Sequence, residues 1–169
     1  MPAGATLRPD VKYVLCTAEN AENVANTMHS ITLNSDNREQ VAAALAGDCW
    51  IVACLCAAWC GTCDSYQASF ESVAARHPDK LFLWIDIEDH ADIVGDLDVE
   101  NFPTLLIQHH ELVAFFGTML PDPALAHRLV QAQTEISDAD MTEMIVNSEE
   151  RARWQRECNL RALLRNALS

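Results

Sequence analysis

Positive charge is scarce in this chain. Only 11 Lys and Arg stand against 25 Asp and Glu, a formal net charge of −14 over 169 residues. Nucleic-acid binding through a basic face is excluded on that balance, and so is electrostatic attraction to an anionic membrane surface. No run approaches the roughly 20 apolar residues of a membrane-spanning helix. Residues 1–28 carry Arg8, Lys12, Glu19 and Glu22 and lack the uninterrupted apolar core of a signal peptide. There is no Ser/His/Asp order, no phosphate-binding glycine loop and no nucleotide fingerprint. The six histidines (His29, His77, His90, His109, His110, His127) form no evident cluster, and His109-His110 reads as a solvated turn. No cofactor and no metal is assigned.

What is present is a foldable chain. Half of it is hydrophobic, and its length suits one domain with a real core and some additional elements. The seven cysteines are an odd number, which does not suit a secreted disulfide framework. A reducing, cytoplasmic setting is expected. The charge is uneven: 86–100 holds Asp86, Glu88, Asp89, Asp92, Asp96, Asp98 and Glu100 with no Lys or Arg, whereas 147–169 is basic on balance. Solvated surface is the simple reading of both. The sharper one is that the tail folds onto the acidic face, or that this face selects a basic partner.

Residues 1–28 read as an appendage, with a short strand at 11–16 and a short helix at 18–28. Strands are expected at 30–33, 50–57, 81–87, 104–108 and 112–116 from their alternating or continuous apolar patterns. Helices are expected after Ser35, at 61–76 over Tyr66, Phe70, Val73 and Ala74, near 89–95, and at 122–133 over Leu125, Leu129 and Val130. The order is β-α-β-α-β-α-β-β-α, an α/β chain with a mixed sheet and helices on both faces. Beyond it, Ser137 caps a short helix and Ser148 a longer one whose Leu160, Leu163, Leu164 and Ala167 share a face. That face packs on the body, on another copy of the chain or on a partner.

Trp59-Cys60-Gly61-Thr62-Cys63 carries the chemistry. It falls between the apolar strand 50–57 and the helix 61–76. Free amides and the positive dipole end of a helix stabilise a thiolate there. The two-residue spacer lets the second sulfur reach the first. Cys54 and Cys56 point to one side of their strand, beneath that helix. They read as small buried thiols. A second dithiol, or a metal site shared with Cys60 and Cys63, stays open, although four converging sulfurs would require the strand to break.

With these motifs in place the chain resembles the thioredoxin family over roughly residues 30–134. Ala57-Ala58-Trp59-Cys60-Gly61-Thr62-Cys63 resembles the family's active-site segment, Phe102-Pro103-Thr104 its cis-proline turn, and Gly117 its late glycine. The resemblance implies the thioredoxin fold over a domain at 29–134, between the appendage 1–28 and a C-terminal helical extension 135–169. It implies that Cys60 attacks a substrate disulfide, that Cys63 resolves the mixed disulfide to give Cys60–Cys63, and that Trp59, Gly61, Thr62, Phe102 and Pro103 receive the substrate. Protein disulfides would be the substrates and a reductase the electron donor.

The buried half departs from the family pattern. Cys54 stands where the family keeps a buried Asp, Trp84 where its Lys partner would fall, and Asp64 where a Lys is common. These modulators predict slow deprotonation of Cys63 and a sluggish or specialised oxidoreductase. The alternative is a non-catalytic thioredoxin-like binding module working through the acidic face and the C-terminal helix, with self-association through that helix also open.

Overall fold

The computed structural model describes residues 30–169; the strand and helix expected within 1–28 lie outside them. The elements are β1 (Ser30–Thr32), α1 (Arg38–Leu45), β2 (Trp50–Cys56), α2 (Gly61–Ala75), β3 (Leu81–Asp86), α3 (Ala91–Val94), β4 (Thr104–His109), β5 (Leu112–Thr118), α4 (Pro123–Thr134), α5 (Asp138–Val146), α6 (Glu149–Glu157) and α7 (Leu160–Leu168). This is the thioredoxin fold with added C-terminal helices. The sheet runs β1-β3-β2-β4-β5. β3 is parallel to β1 and β2, while β4 is antiparallel to both β2 and β5.

Strand parity divides the core. Ile51, Ala53 and Leu55 face one layer, with Val41 and Leu45 of α1, Ile93 and Val94 of α3, Trp154 of α6, and Leu160 and Leu164 of α7. Val52, Cys54 and Cys56 face the other, with Cys63, Tyr66 and Phe70 of α2, Val130 of α4 and Met141 of α5. β2 is buried on both faces because it is the central strand, which explains its continuous apolar run.

Most element ends fall within one or two residues of the sequence expectation, and two differences at helix starts have a local cause. Ser35 does not cap α1. Asn34 instead accepts the amides of Asp36 and Asn37 in an Asx turn, and the helix begins after Asn37. The long final helix is in fact two, because Asn159 starts a new one by accepting the Ala162 amide. Asn159 is held there by buried Gln108 of β4, whose Nε2 donates to Asn159 Oδ1 at 2.7 Å and whose Oε1 accepts from the Leu160 amide at 2.8 Å. The apolar face of α7 is covered by α1 and α3 of the same chain.

One buried histidine links this core to pH. His77 is 7% exposed and shares a 2.8 Å hydrogen bond with His127. Burial first, then the charges of Lys80, His127 and Arg76 against an opposing Asp79, lowers its pKa from 6.5 to about 4. The folded state therefore keeps the ring neutral while the unfolded chain protonates it below about pH 6.5. Its contribution to stability is fully present above that pH and is lost as pH falls toward 4, an effect on the order of 2 kcal/mol. Urea midpoints at pH 7.5 and 4.5 should differ less in His77→Gln than in the wild type. An equal pH dependence in both would show that other groups carry it.

Candidate active site

Cys60 is the N-cap of α2, with extended backbone (φ −86°, ψ 111°), and its side chain caps no amide. It is half-buried and unbonded, and it packs against the layer containing Cys54, Cys56 and Cys63. A 15-residue helix therefore points its amide end at this sulfur. Gly61 and Thr62 are exposed beside it, and no heavy atom lies within 4 Å of where a Cβ on Gly61 would sit.

The rim is aromatic and acidic. Trp59 is 67% exposed, meets Phe102 edge-on at 5.5 Å and donates its indole N–H to Glu88 Oε1 at 2.6 Å. The Phe102–Pro103 bond is cis, Pro103 is buried, and its carbonyl accepts from the Met119 amide at 3.0 Å. Gly117 sits opposite Leu105 in the β4–β5 pair, where an added Cβ would come 3.2 Å from the Phe115 ring. Trp59, Glu88 and the loop before Pro103 thus frame Cys60 with one open apolar wall and one negative group.

Beneath the rim the thiols are arranged differently from the simplest expectation. Cys63 is buried and disulfide-bonded to Cys56, with their Cα atoms 5.8 Å apart; its partner is not Cys60. The separation suits a disulfide because the end of β2 lies directly under the first turn of α2. The parity that puts Cys56 on the α2 side was legible in the sequence; its meeting with Cys63 was not. Cys54 lies deeper, its Sγ 3.8 Å from that of Cys56. Burial pushes the Cys54 thiol far above its ordinary range, so it is a protonated thiol and no base at neutral pH.

Trp84 pairs with Cys54 in the β2–β3 register and packs on Phe70 at 5.6 Å. The positions expected to hold acid and base are therefore an apolar pair. Asp64 is exposed in the first turn of α2, where water screens its charge. Introducing a carboxylate as Cys54→Asp should raise the rate of insulin-disulfide reduction several-fold while lowering stability, since the new charge is buried without a partner. An unchanged or lower rate would remove proton supply from the account of this site.

A second cluster corrects the reading of the histidines. His110 does sit in the turn, but His109 ends β4 and is half-buried, and neither ring is left to solvent alone: both meet Asp48 and Asp138. Only the folded hairpin brings together residues from 48 and 138, so no local spacing could have revealed it.

The thioredoxin family profile matches residues 29–129. The chain is 33% identical over 72 residues to thioredoxin from Mus musculus, spanning 43% of this chain and 69% of that one. The crystal structure of thioredoxin from Trypanosoma brucei brucei superposes with a TM-score of 0.55 at 21% identity, over 66% of this chain and 96% of that one. A chain from the crystal structure of a ferredoxin:thioredoxin reductase and thioredoxin f2 complex gives 0.54 at 20% identity, over 64% of this chain and 99% of that one.

Proposed function

The chain belongs to the thioredoxin family, and from that premise we propose that it is a thiol–disulfide oxidoreductase acting on protein disulfides through Cys60 and Cys63. Cys60 supports this reading best: a half-exposed, unbonded thiol at the amide end of a long helix, beside Trp59 and the cis Phe102–Pro103 bond. Its thiolate attacks one sulfur of the substrate, forming a mixed disulfide and releasing the other substrate sulfur as a thiolate. Cys63 then attacks the Cys60 sulfur, frees the substrate and leaves Cys60–Cys63 oxidised. An extended substrate strand would lie along Phe102 and Pro103 with Trp59, Gly61 and Thr62 beneath it. A reductase returns two electrons. The exchange domain is 29–134, with 1–28 and 135–169 as additions, and the setting is a reducing cytoplasm.

Cys63→Ser is the test. It should accumulate covalent, dithiothreitol-sensitive adducts through Cys60 when exposed to protein disulfides. A second reading, a binding module using the acidic rim, draws on the apolar Cys54–Trp84 pair. It gains if partners are retained equally by Cys60→Ser/Cys63→Ser and no covalent adduct forms.

A further inference from the structure

We propose that Asp48, His109 and His110 form a binding site for a divalent transition metal of the zinc type, with Asp138 orienting both imidazoles. The site draws on three separate parts of the fold. Asp48 lies in the turn between α1 and β2, His109 ends β4, His110 opens the β4–β5 turn, and Asp138 begins α5. Adjacent histidines of a strand would point to opposite faces. Here His110 adopts the left-handed region (φ 53°), which brings its ring alongside that of His109 with centroids 4.0 Å apart.

The two ring nitrogens have different partners. Asp138 Oδ1 meets His109 Nδ1 at 2.8 Å, and Asp138 Oδ2 meets His110 Nδ1 at 3.4 Å. With Nδ1 of both rings on one carboxylate, both Nε2 atoms turn to Asp48. His109 Nε2 is 3.6 Å from Asp48 Oδ1, and His110 Nε2 contacts the same oxygen. Trp50 stacks on His109 at 4.6 Å and fixes its plane. The donor atoms of Asp48, His109 and His110 all lie within 4.8 Å of one another.

A carboxylate behind each ligating imidazole is the usual outer support of a metal-bound histidine. Two imidazoles and a carboxylate suit zinc, with a fourth position open to water. A divalent ion would also balance the two carboxylates. The cluster sits at the opposite end of β2 and β4 from Cys60, so its role is to clamp α5 and the α1–β2 turn to the sheet.

The experiment titrates untagged protein with Zn²⁺ at pH 7.5 after Cys60 is blocked by iodoacetamide, following heat of binding and Tm. Co²⁺ spectra identify the ligand type. Expected are one ion per chain, a Tm that rises with Zn²⁺, and a Co²⁺ spectrum without thiolate-to-metal charge transfer. Asp48→Asn, a change at an exposed position, should weaken binding at least tenfold, and Asp138→Asn about 10–100-fold. Affinity unchanged in Asp48→Asn and in His109→Ala/His110→Ala, or a thiolate spectrum, would overturn the site.

A different observation carries a second inference, which rests on the proposed exchange reaction. We infer that Cys56 is a third exchange thiol, so that the oxidised protein has two isomers, Cys60–Cys63 and Cys56–Cys63. The Cys56–Cys63 bond is in place while Cys60 is unbonded at the helix start. Isomerisation needs no outside redox partner. The Cys60 thiolate attacks Cys63 Sγ, the Cys56–Cys63 bond breaks, and Cys56 leaves as a thiolate that takes up the proton Cys60 gave to solvent. The Cys54 thiol, 3.8 Å from Cys56, can hydrogen-bond to that leaving sulfur. The reverse step stores the disulfide in the interior and returns a free Cys60 to the surface.

Disulfide mapping of the oxidised wild type tests this directly, because chymotryptic cleavage after Trp59 separates Cys56 from Cys60 and Cys63. Native iodoacetamide should label Cys60, and digestion should yield a cross-linked Cys56–Cys63 peptide pair. Cys56→Ala should convert all of it to the looped Cys60–Cys63 peptide. A looped peptide alone in the wild type overturns the inference, whereas failure of Cys63→Ser to trap adducts would count against the exchange reaction itself.

Discussion

Cys60→Ser is expected to bring insulin-disulfide reduction down to the rate seen without protein, while the fold stays intact. The fold should survive because the Cys60 sulfur caps no amide and is only half-buried at the start of α2. The activity should vanish because the neighbouring thiols, Cys54, Cys56 and Cys63, cannot replace it. Cys63 is 2% exposed and Cys56 is likewise buried, so neither reaches a bulky substrate. Cys54 is further hindered, its thiol held protonated by burial. A hydroxyl at 60 has the same reach but does not ionise near neutral pH. The double variant Cys60→Ser/Cys63→Ser should be no worse than Cys60→Ser alone, since residues that act in sequence are not additive. Measurable activity in Cys60→Ser with unchanged thermal unfolding would move the nucleophile elsewhere in the chain and favour the binding-module reading.

The order of the elements and the two-faced core were legible because they rest on patterns of period 2 and 3.6 within single segments. β2 announced itself as a buried central strand by its continuous apolar run, and α2 by Tyr66, Phe70, Val73 and Ala74 on one side. The rim of the candidate site was expected from the family resemblance of two short segments, Trp59-Cys60-Gly61-Thr62-Cys63 and Phe102-Pro103-Thr104, and the structure places Trp59 against Phe102 beside a cis Phe102–Pro103 bond. What stayed hidden depends on contacts across the sheet. Cys56 meets Cys63 only because the end of β2 passes under the first turn of α2. Asp48, His109, His110 and Asp138 converge from the α1–β2 turn, the β4–β5 hairpin and the start of α5. Asn159 divides the final helix because buried Gln108, 51 residues away in sequence, holds its side chain. Each concerns a polar or sulfur side chain, whose partner periodicity does not specify.

Trp154→Ala should destabilise the whole protein by about 3–5 kcal/mol, as truncating a large buried aromatic does elsewhere. In a chain of this length that corresponds to a fall in Tm on the order of 10 °C. The reason lies in what α6 does for β5, the last strand of the sheet. An edge strand leaves backbone groups unpaired and open to association. Here the Gln155 side chain serves as a substitute strand: Val113 N donates to Gln155 Oε1 at 2.7 Å, and Gln155 Nε2 donates to Val113 O at 2.8 Å. Arg151 Nη1 donates to Ala114 O at 2.8 Å. Trp154 anchors this row. It is 7% exposed, meets Phe115 edge-on at 6.0 Å and carries the Arg151 guanidinium 5.4 Å from its ring centroid. Removing the indole should free α6, and with it α7, whose Leu160 and Leu164 complete the same core layer. Chemical denaturation should then remain a single transition at a lower midpoint, with added self-association through β5 visible by light scattering. If the variant instead loses less than about 1 kcal/mol, or unfolds in two steps with the first confined to 149–169, the extension is a separate unit docked on the sheet rather than part of its core.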